Sequence, residues 1–141
     1  MELLILFLPL IAAIISGFFS KLIGDRTCEI ITSLFVSISA VLSIIIFYNV
    51  IFNDYLSDTI IASWINSGTL IVNWSIKIDA LSAVMLVVVT LISSLVHIYS
   101  IGYMSHDPDK PRFMAYLSLF TFAMLSLVTA DNFLQLFFGW E

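Results

Sequence analysis

The stretch from Ile30 to Asn53 reads IITSLFVSISAVLSIIIFYNVIFN and contains no charged residue. A helix needs about 20 predominantly apolar residues to cross the hydrocarbon core of a bilayer. This stretch meets that requirement, and the polar pair Asn53-Asp54 closes it. It therefore predicts a membrane-spanning helix over residues 30–52.

The composition of the whole chain agrees with this prediction. Of the 141 residues, 61% are hydrophobic and 11% are charged, and the mean hydropathy is +1.11. Soluble domains carry about 25% charged residues, so too few polar side chains are present to cover a water-soluble surface. The net charge of −5 comes without a basic patch, which argues against nucleic acid as a partner. We expect the lipid bilayer to surround most of the protein.

Other stretches of the chain have the same character. Complete spans are predicted over residues 3–22, 80–104 and 113–130, and an incomplete one over 132–141. Asp79 precedes the span at 80 as an N-cap, and Asp131 and Asn132 precede the last one. The predicted fold is an all-α integral membrane bundle of four complete helices plus the start of a fifth, in one domain.

Residues 59–78 are predicted to form a β-hairpin instead of a span. A turn signal, Asn66-Ser67-Gly68-Thr69, lies in their middle. After it, apolar side chains occupy alternate positions, which is typical of a half-buried strand, and residues 60–65 are its predicted partner. Since open sheet edges are not tolerated in lipid, we expect the hairpin on the outer membrane surface, with Trp64 and Trp74 at the level of the headgroups.

The basic residues predict the orientation. Lys21 and Arg26 lie between the first two helices, and Lys110 and Arg112 lie between the next two, whereas Lys77 falls on the opposite side. By the positive-inside rule, the N-terminus and the hairpin lie outside, and the basic loops face the cytoplasm or the mitochondrial matrix.

Glu141 is the strongest candidate for chemistry, as a site of proton transfer. If its helix begins near Asn132, a rise of about 1.5 Å per residue places Glu141 roughly 13–14 Å along the axis, near the middle of a core about 30 Å thick. An ionisable group at that depth is costly and usually functional. Alternatively, the helix begins later and Glu141 lies near the interface, or the acid only holds two helices together. Gln135, one to two turns earlier, is expected to bond a neighbouring helix.

His97 is the second candidate, for a proton path. Thr90, Ser93, Ser94 and His97 are spaced i, i+3, i+4 and i+7, so they share one face of their helix. A polar stripe on a membrane helix usually faces the bundle interior, and imidazole is suited to proton relays. The alternative is that these groups serve helix packing.

Other kinds of site are not expected. The sequence has no Gly-rich phosphate loop, no nucleophile–base pair and no metal-binding cluster, and Cys28 is its single cysteine. We therefore expect no metal and no cofactor in this chain, which lacks any means of binding NADH, flavin or an iron–sulfur cluster.

Five stretches follow one another in an order and spacing that match a known family. They are Ile78 to Met85, Tyr99 to Arg112, Phe113 to Phe120, Leu127 to Asn132 and Leu134 to Glu141. With them, the chain resembles NADH-quinone oxidoreductase subunit L, also called chain 5, an antiporter-like subunit of respiratory complex I. The resemblance is specific from about Ile78 onward and looser before it.

The resemblance implies a proton-translocating subunit in the membrane arm of complex I, beside other membrane-arm subunits, in the bacterial or mitochondrial inner membrane. In that family, the Glu of a Gly-Trp-Glu motif lies on the fifth membrane helix and pairs with a lysine on a later helix. Glu141 is the matching position. NADH, FMN, iron–sulfur clusters and quinone would belong to partner subunits, so no redox chemistry is expected in this chain.

The family continues beyond the position of Glu141 with many further helices, so the resemblance predicts an N-terminal fragment. Two alternatives stay open at this point. One is the large subunit of a multi-subunit sodium/proton antiporter, which shares the fold and the mid-membrane acid. The other is a non-catalytic, truncated membrane scaffold, in which Glu141→Gln would leave proton transport unchanged.

Overall fold

The computed structural model describes residues 1–53 and 55–141, in which the chain forms six helices and one two-stranded sheet. The helices are α1 (Glu2–Phe18), α2 (Ser20–Ile23), α3 (Asp25–Asn53), α4 (Ala80–Tyr103), α5 (Lys110–Val128) and α6 (Phe133–Trp140). The strands β1 (Ser57–Ser67) and β2 (Leu70–Ile78) form an antiparallel hairpin between α3 and α4. Asp54, which was predicted to help close the second helix, lies outside the described residues.

Three of the described helices, α3, α4 and α5, are long and apolar enough to cross a membrane. Helix α1 has 17 residues and is shorter than the span predicted over residues 3–22. It ends because the backbone of Phe19 leaves the helical conformation, at φ −104° and ψ 8°, before the four-residue helix α2. The chain is therefore mostly helical with three candidate membrane spans, and the predicted count of four complete spans stays a prediction.

Helix α3 begins before the predicted position. The sequence predicted the helix over residues 30–52, with Arg26 between the first two helices, but Asp25 and Arg26 both lie in the first turn of α3. Gly24 adopts a φ of 87°, which ends α2 and turns the chain directly into α3. The carboxylate of Asp25 is favourable in a first turn because the free N–H groups there carry partial positive charge. Hydropathy therefore predicted the apolar part of α3 correctly, but not the residue at which the helix begins.

Helix α5 also begins earlier than predicted, at Lys110 instead of Phe113. Pro111 falls in its first turn, where the missing N–H would have no helical partner in any case. Lys110 and Arg112 were predicted to lie between two helices, but both belong to the first turn of α5.

The centre of the bundle is a cluster of buried apolar side chains. Helix α1 packs against α3 and α5, and α3 packs against α4. The buried members of the cluster are Ile5, Leu6, Ile46, Val50, Ile76, Ile78, Ala83, Leu86 and Leu125. Two of them, Ile76 and Ile78, belong to β2, so the hairpin contributes to the same core as the helices.

The outer faces of the helices are apolar as well. Ile44 of α3, Leu95 of α4 and Phe120 of α5 are 47%, 59% and 64% exposed, and many other large apolar side chains are similarly placed. Contiguous apolar surface of this kind is rare on monomeric soluble proteins. It is the surface expected of helices that lipid surrounds.

The hairpin forms where the sequence predicted it, with strands somewhat longer than expected. The strands pair from Ser57 with Ile78 to Ser67 with Leu70, and Gly68 in the turn has a φ of 60°. The alternation predicted for β2 holds at Val72, Ile76 and Ile78, which are buried, but not at Leu70, which is exposed, or at Ser75, which is buried on the opposite face. Its placement on the outer surface of a membrane stays a prediction.

Candidate functional site

The polar face of α4 lies inside the bundle, as predicted. The side chains of Thr90 and His97 are fully buried, and Ser94 is 8% exposed. His97 Nε2 lies 3.0 Å from the hydroxyl oxygen of Ser118 on α5, and its Nδ1 lies 2.7 Å from the backbone carbonyl oxygen of Ser93. A carbonyl oxygen can only accept, so in the neutral ring Nδ1 donates and Nε2 accepts from the Ser118 hydroxyl.

Two hydroxyl bridges tie α4 to its neighbours. Thr90 Oγ1 lies 2.7 Å from Ser43 Oγ of α3. The hydroxyl of Ser93 bonds that of Thr121 on α5. Ser93 Oγ also lies 3.4 Å from His97 Nδ1, so the second bridge is connected with the His97–Ser118 pair. In the part of the chain that the structure describes, no hydrogen bond joins this group to the bridge of Thr90 with Ser43. The arrangement therefore supports the packing interpretation of this stripe better than a continuous proton path.

Glu141 follows the last turn of α6. Its backbone N–H donates to the carbonyl of Phe137 at 3.0 Å, so it continues the helical hydrogen bonding. Glu141 is exposed and is one of the residues that line a largely apolar cavity of about 500 Å³. The other lining residues are Trp64, Leu119, Phe122, Ala123, Leu134, Phe137 and Phe138. His97 is absent from this lining, so the structure does not bring the two predicted site residues together.

A second cavity, of about 530 Å³, lies between α1, α2, α3 and α5 and does not include Glu141. Its charged lining residues are Lys21, Asp25, Asp109 and Arg112, and most of the others are apolar. Because no sequence feature connects it with proton chemistry, the cavity at Glu141 is the better candidate site.

The start of α6 is held by its predicted cap, Asn132. The side-chain Oδ1 of Asn132 accepts a hydrogen bond from the N–H of Gln135 at 2.8 Å, and its Nδ2 donates to the carbonyl of Asn73 in β2 at the same distance. Asn132 has the extended backbone of an N-cap residue, with φ −136° and ψ 159°. This cap fixes where α6 begins, and therefore how far Glu141 lies along it.

The prediction that Gln135 bonds a neighbouring helix was wrong, because its partner is a strand. Gln135 is fully buried, its Nε2 donates to the carbonyl of Ser75 at 2.7 Å, and its Oε1 accepts from the Ser75 N–H at 3.2 Å. The amide carries one donor group and one acceptor, which is what the edge of a strand requires. In the sequence, a single glutamine among apolar residues indicates a buried polar side chain, but it does not identify the residue that this side chain bonds.

Asp131 was predicted to cap α6 together with Asn132, but it forms an ion pair instead. Its Oδ1 lies 3.0 Å from Lys77 Nζ of β2. The hydrogen bond that the Lys77 ammonium group donates to Asp131, together with the negative charge of Asp131, raises the pKa of Lys77 above its usual value. The Lys77 N–H also donates to the carbonyl of Thr129 at 3.0 Å, so this ion pair adds to a backbone contact between the hairpin and the end of α5.

The predicted cap of α4 is confirmed. Asp79 Oδ1 accepts a hydrogen bond from the Ser82 N–H at 2.7 Å. This backbone hydrogen bond lowers the pKa of Asp79, because it stabilises the ionised carboxylate.

Gly139 allows α6 to approach α5 closely. A Cβ atom added at Gly139 would lie 2.8 Å from the backbone nitrogen of Leu127 and 2.9 Å from its Cα. The clash is with backbone, which cannot move aside as a flexible side chain would. The distance between α5 and the turn that carries Glu141 therefore depends on glycine at this position.

Glu29 was missed by sequence reasoning. It precedes the predicted span at residue 30, yet in α3 it is 5% exposed, and its Oε1 has no hydrogen-bond partner among the described residues. It could have been recognised only by extending the helix pattern backwards past the charges of Asp25 and Arg26. Buried acids without a partner are unusual and costly.

Comparison with known proteins gives a consistent result. A family model described as NADH-Ubiquinone oxidoreductase (complex I), chain 5 N-terminus, matches residues 64–114, from β1 into α5. NADH-ubiquinone oxidoreductase chain 5 of Arabidopsis thaliana is 54% identical over 141 residues, which are 100% of this chain and 21% of the relative. NADH-quinone oxidoreductase subunit L of Rickettsia bellii is 49% identical over 138 residues, 98% of this chain and 22% of the relative. The chain thus spans about a fifth of the length of the curated relatives that it matches.

Proposed function

We propose that this chain forms the first part of a proton-translocating subunit of respiratory complex I. All 141 residues align with NADH-ubiquinone oxidoreductase chain 5 of Arabidopsis thaliana, and residues 64–114 match the model of the chain 5 N-terminus. Electron transfer from NADH to quinone would take place in other subunits, which would hold FMN and the iron–sulfur clusters. The observation that carries the proposal is 54% identity over the complete chain, including the helix that carries Glu141.

In this proposal Glu141 takes up and releases the transported proton. Glu141 follows α6 at about 13–14 Å along the helix axis beyond the Asn132 cap, and Trp64 of the hairpin lines the same cavity as Glu141. The cavity beside Glu141 is lined mostly by apolar side chains, which leaves its carboxyl without a cation from the described residues of this lining. The cation would be a lysine on a later helix of the complete subunit.

His97 serves mainly to hold α4 and α5 together in this proposal. It bonds Ser118 across the helix interface, and the hydroxyl bridge of Ser93 with Thr121 lies one turn away on the same face. Its full burial supports a structural role, since a buried imidazole with both nitrogens bonded is stable in one neutral form.

The proposed topology places the hairpin outside and the basic segments around Lys21 and Arg112 in the cytoplasm or matrix. Helices α1 and α2 together cover residues 2–23, which is enough chain for a first, interrupted span. The membrane would be the bacterial or mitochondrial inner membrane, and the partners would be the other membrane-arm subunits and the lipid. Labelling of single cysteines introduced at Ser67 and at His106 from either side of sealed vesicles tests this topology.

The functional test uses the full-length subunit in the assembled complex. Sealed inverted vesicles are supplied with NADH, and proton uptake is measured for the wild type and for Glu141→Gln. We expect fewer protons pumped per NADH with normal NADH oxidation by an artificial electron acceptor, because the amide cannot carry a proton.

Asp58→Asn is the matched control, since it makes the same carboxyl-to-amide change on the exposed strand β1 and should pump normally. Unchanged pumping with Glu141→Gln would refute the role of Glu141 and favour the scaffold alternative. Proton movement that follows a sodium gradient and is independent of NADH would favour the antiporter alternative.

A further inference from the structure

The outer edge of β2 carries backbone groups that no strand pairs with. In the described residues the sheet has two strands, so β2 has a strand neighbour on one side only. Toward the other side, backbone groups of Asn73 and Lys77 bond the segment that joins α5 to α6, and those of Ser75 bond a side chain in the first turn of α6. Buried backbone groups without a hydrogen-bond partner are unfavourable, and Ser75 is 2% exposed. These contacts therefore satisfy the edge of β2 as a third strand would.

Gln135 provides the strongest of these contacts. Its amide accepts from the N–H of Ser75 and donates to the carbonyl of the same residue, as an opposing strand residue would. The reverse orientation of the amide would place its NH₂ group against the Ser75 N–H, so the pair fixes which way the side chain points. A fully buried amide held at both ends leaves α6 little freedom to slide or rotate.

An aromatic contact reinforces the same face of α6. The ring of Phe138, one turn after Gln135, meets Trp74 of β2 edge-on, with centroids 4.9 Å apart and planes at 77°. Trp64 of β1 lies on the other side, 6.3 Å from the same ring. Both strands of the hairpin therefore contact α6.

Glu141 lies next to the face of α6 that contacts the hairpin. At about 100° per residue, it is rotated by about 120° from Gln135 and by about 60° from Phe138. Trp64 of β1 and Phe138 line the same cavity as Glu141, so the contact of α6 with the hairpin also sets where Glu141 lies in that cavity.

We infer that the β-hairpin is a docking template for α6, and that Gln135 is a positioning residue that sets the height and rotation of Glu141. The inference rests on the proposed function of Glu141 for its consequence in pumping, but the docking itself is independent of that function. Loss of the Gln135–Ser75 pair would free α6 to move, and a displacement of about 1 Å is enough to impair a proton-transfer geometry.

The test compares Gln135→Leu, Gln135→Glu and wild type in the full-length subunit within the assembled complex. Leucine removes both hydrogen bonds, whereas glutamate keeps an acceptor for the Ser75 N–H. Leu136→Met is the matched control, because it changes an exposed residue of the same helix that faces away from the hairpin. Three quantities are measured: hydrogen exchange of the Ser75 amide, protons pumped per NADH with its pH profile, and NADH oxidation by an artificial acceptor.

We expect the Ser75 amide in Gln135→Leu to exchange at least about fivefold faster. Pumping should fall by at least half of the loss caused by Glu141→Gln, and the midpoint of its pH profile should move while NADH oxidation stays normal. Gln135→Glu should lie between this variant and the wild type, and it serves as the test variant if Gln135→Leu does not assemble.

Unchanged exchange at Ser75 would overturn the docking, whatever the pumping does. Faster exchange with wild-type pumping and an unmoved pH profile would overturn the positioning role, provided that Glu141→Gln does impair pumping. If Glu141→Gln has no effect, the proposed function fails instead, and the exchange measurement still decides whether the hairpin docks α6.

Discussion

Gln135 and Ser75 lie 60 residues apart in the sequence and pair through two hydrogen bonds, of 2.7 and 3.2 Å, between one side-chain amide and one backbone peptide group. The pair joins the hairpin to the helix that carries Glu141. The stability of this junction, and of the bundle around it, can be tested residue by residue.

Gly139→Ala should destabilise the protein. The new Cβ would lie 2.8 Å from the backbone nitrogen of Leu127, so α6 must move away from α5. Overpacking of this kind costs about 1–3 kcal/mol. Unfolding of the detergent-solubilised protein by a denaturing detergent measures the cost.

Gly102→Ala is the control for that experiment, because a Cβ at Gly102 meets no atom within 4 Å. It should be neutral or stabilising by up to about 1 kcal/mol, since alanine favours helix more than glycine does. Equal stability of the two variants would contradict the close approach of α6 to α5.

The ion pair of Lys77 with Asp131 should make stability depend on alkaline pH. Its hydrogen bond and charge raise the pKa of Lys77 above 10.5 in the folded protein. Because the folded pKa is the higher one, the contribution of the pair is complete below pH 10.5 and is lost as the pH rises through the folded pKa. The unfolding temperature of the wild type and of Lys77→Gln should therefore converge at strongly alkaline pH.

Asp131→Asn should reproduce the loss seen in Lys77→Gln at neutral pH, and the double variant should lose no more than either single one. Full additivity of the two single variants would show that the side chains do not interact. The loss of stability in each variant is expected to be small, because surface ion pairs are screened by water.

The cap of α4 should make the stability of the protein fall at acidic pH, whereas the ion pair of Lys77 makes it fall at alkaline pH. The N–H of Ser82 bonds the carboxylate of Asp79 and lowers its pKa from 3.8. The stabilisation is therefore present above pH 3.8 and is lost as the pH falls through the lower, folded pKa. Asp79→Ala should cost about 1 kcal/mol at neutral pH, as measured by thermal unfolding, with the difference from wild type shrinking at acid pH.

Asp79→Asn separates the cap from the charge. Asparagine is an equally good N-cap, so this variant should keep most of the neutral-pH stability but lose the pH dependence. A loss in Asp79→Asn as large as that in Asp79→Ala would mean that the charge, and not the hydrogen bond to Ser82, stabilises the helix.

His97→Gln should leave NADH-driven pumping unchanged in the complete subunit. Glutamine can donate to the carbonyl of Ser93 and accept from Ser118, which are the two bonds that His97 makes. His97→Ala should lose about 2–4 kcal/mol of stability, because it leaves a cavity and an unpaired hydroxyl. Impaired pumping in a stable His97→Gln variant would instead place the imidazole in the proton path.

Glu29→Met should stabilise the isolated protein. Glu29 is 5% exposed and its Oε1 lacks a hydrogen-bond partner among the described residues, so an apolar side chain of similar length should gain about 1–3 kcal/mol. Glu2→Met is the contrasting control, because the carboxylate of Glu2 accepts bonds from Tyr55 and Thr59 and its loss should destabilise. Destabilisation by Glu29→Met in the same unfolding assay would contradict the absence of a partner.

The regular parts of the fold follow from local properties of the sequence. In lipid, a segment is stable only if its side chains are apolar and its backbone groups are hydrogen-bonded to one another. The uncharged run from Ile30 to Asn53 therefore predicts a spanning helix without knowledge of its neighbours. The N-caps Asp79 and Asn132 were predictable for a similar reason, since a cap bonds a backbone group three residues away. The exact helix ends were not, because Asp25 and Pro111 are polar or irregular residues that a first helical turn accepts.

The sequence by itself determined a membrane bundle interrupted by a hairpin, the polar face of α4 around His97, and an acid about nine residues into the last helix. Only the tertiary structure decided that Gln135 bonds a strand, that Asp131 bonds Lys77 and that Glu29 is buried. Hydropathy and helix capping depend on residues within a few turns of one another, so both can be predicted from the sequence. A buried polar side chain must find a partner wherever the fold brings one, and that partner can lie 60 residues away.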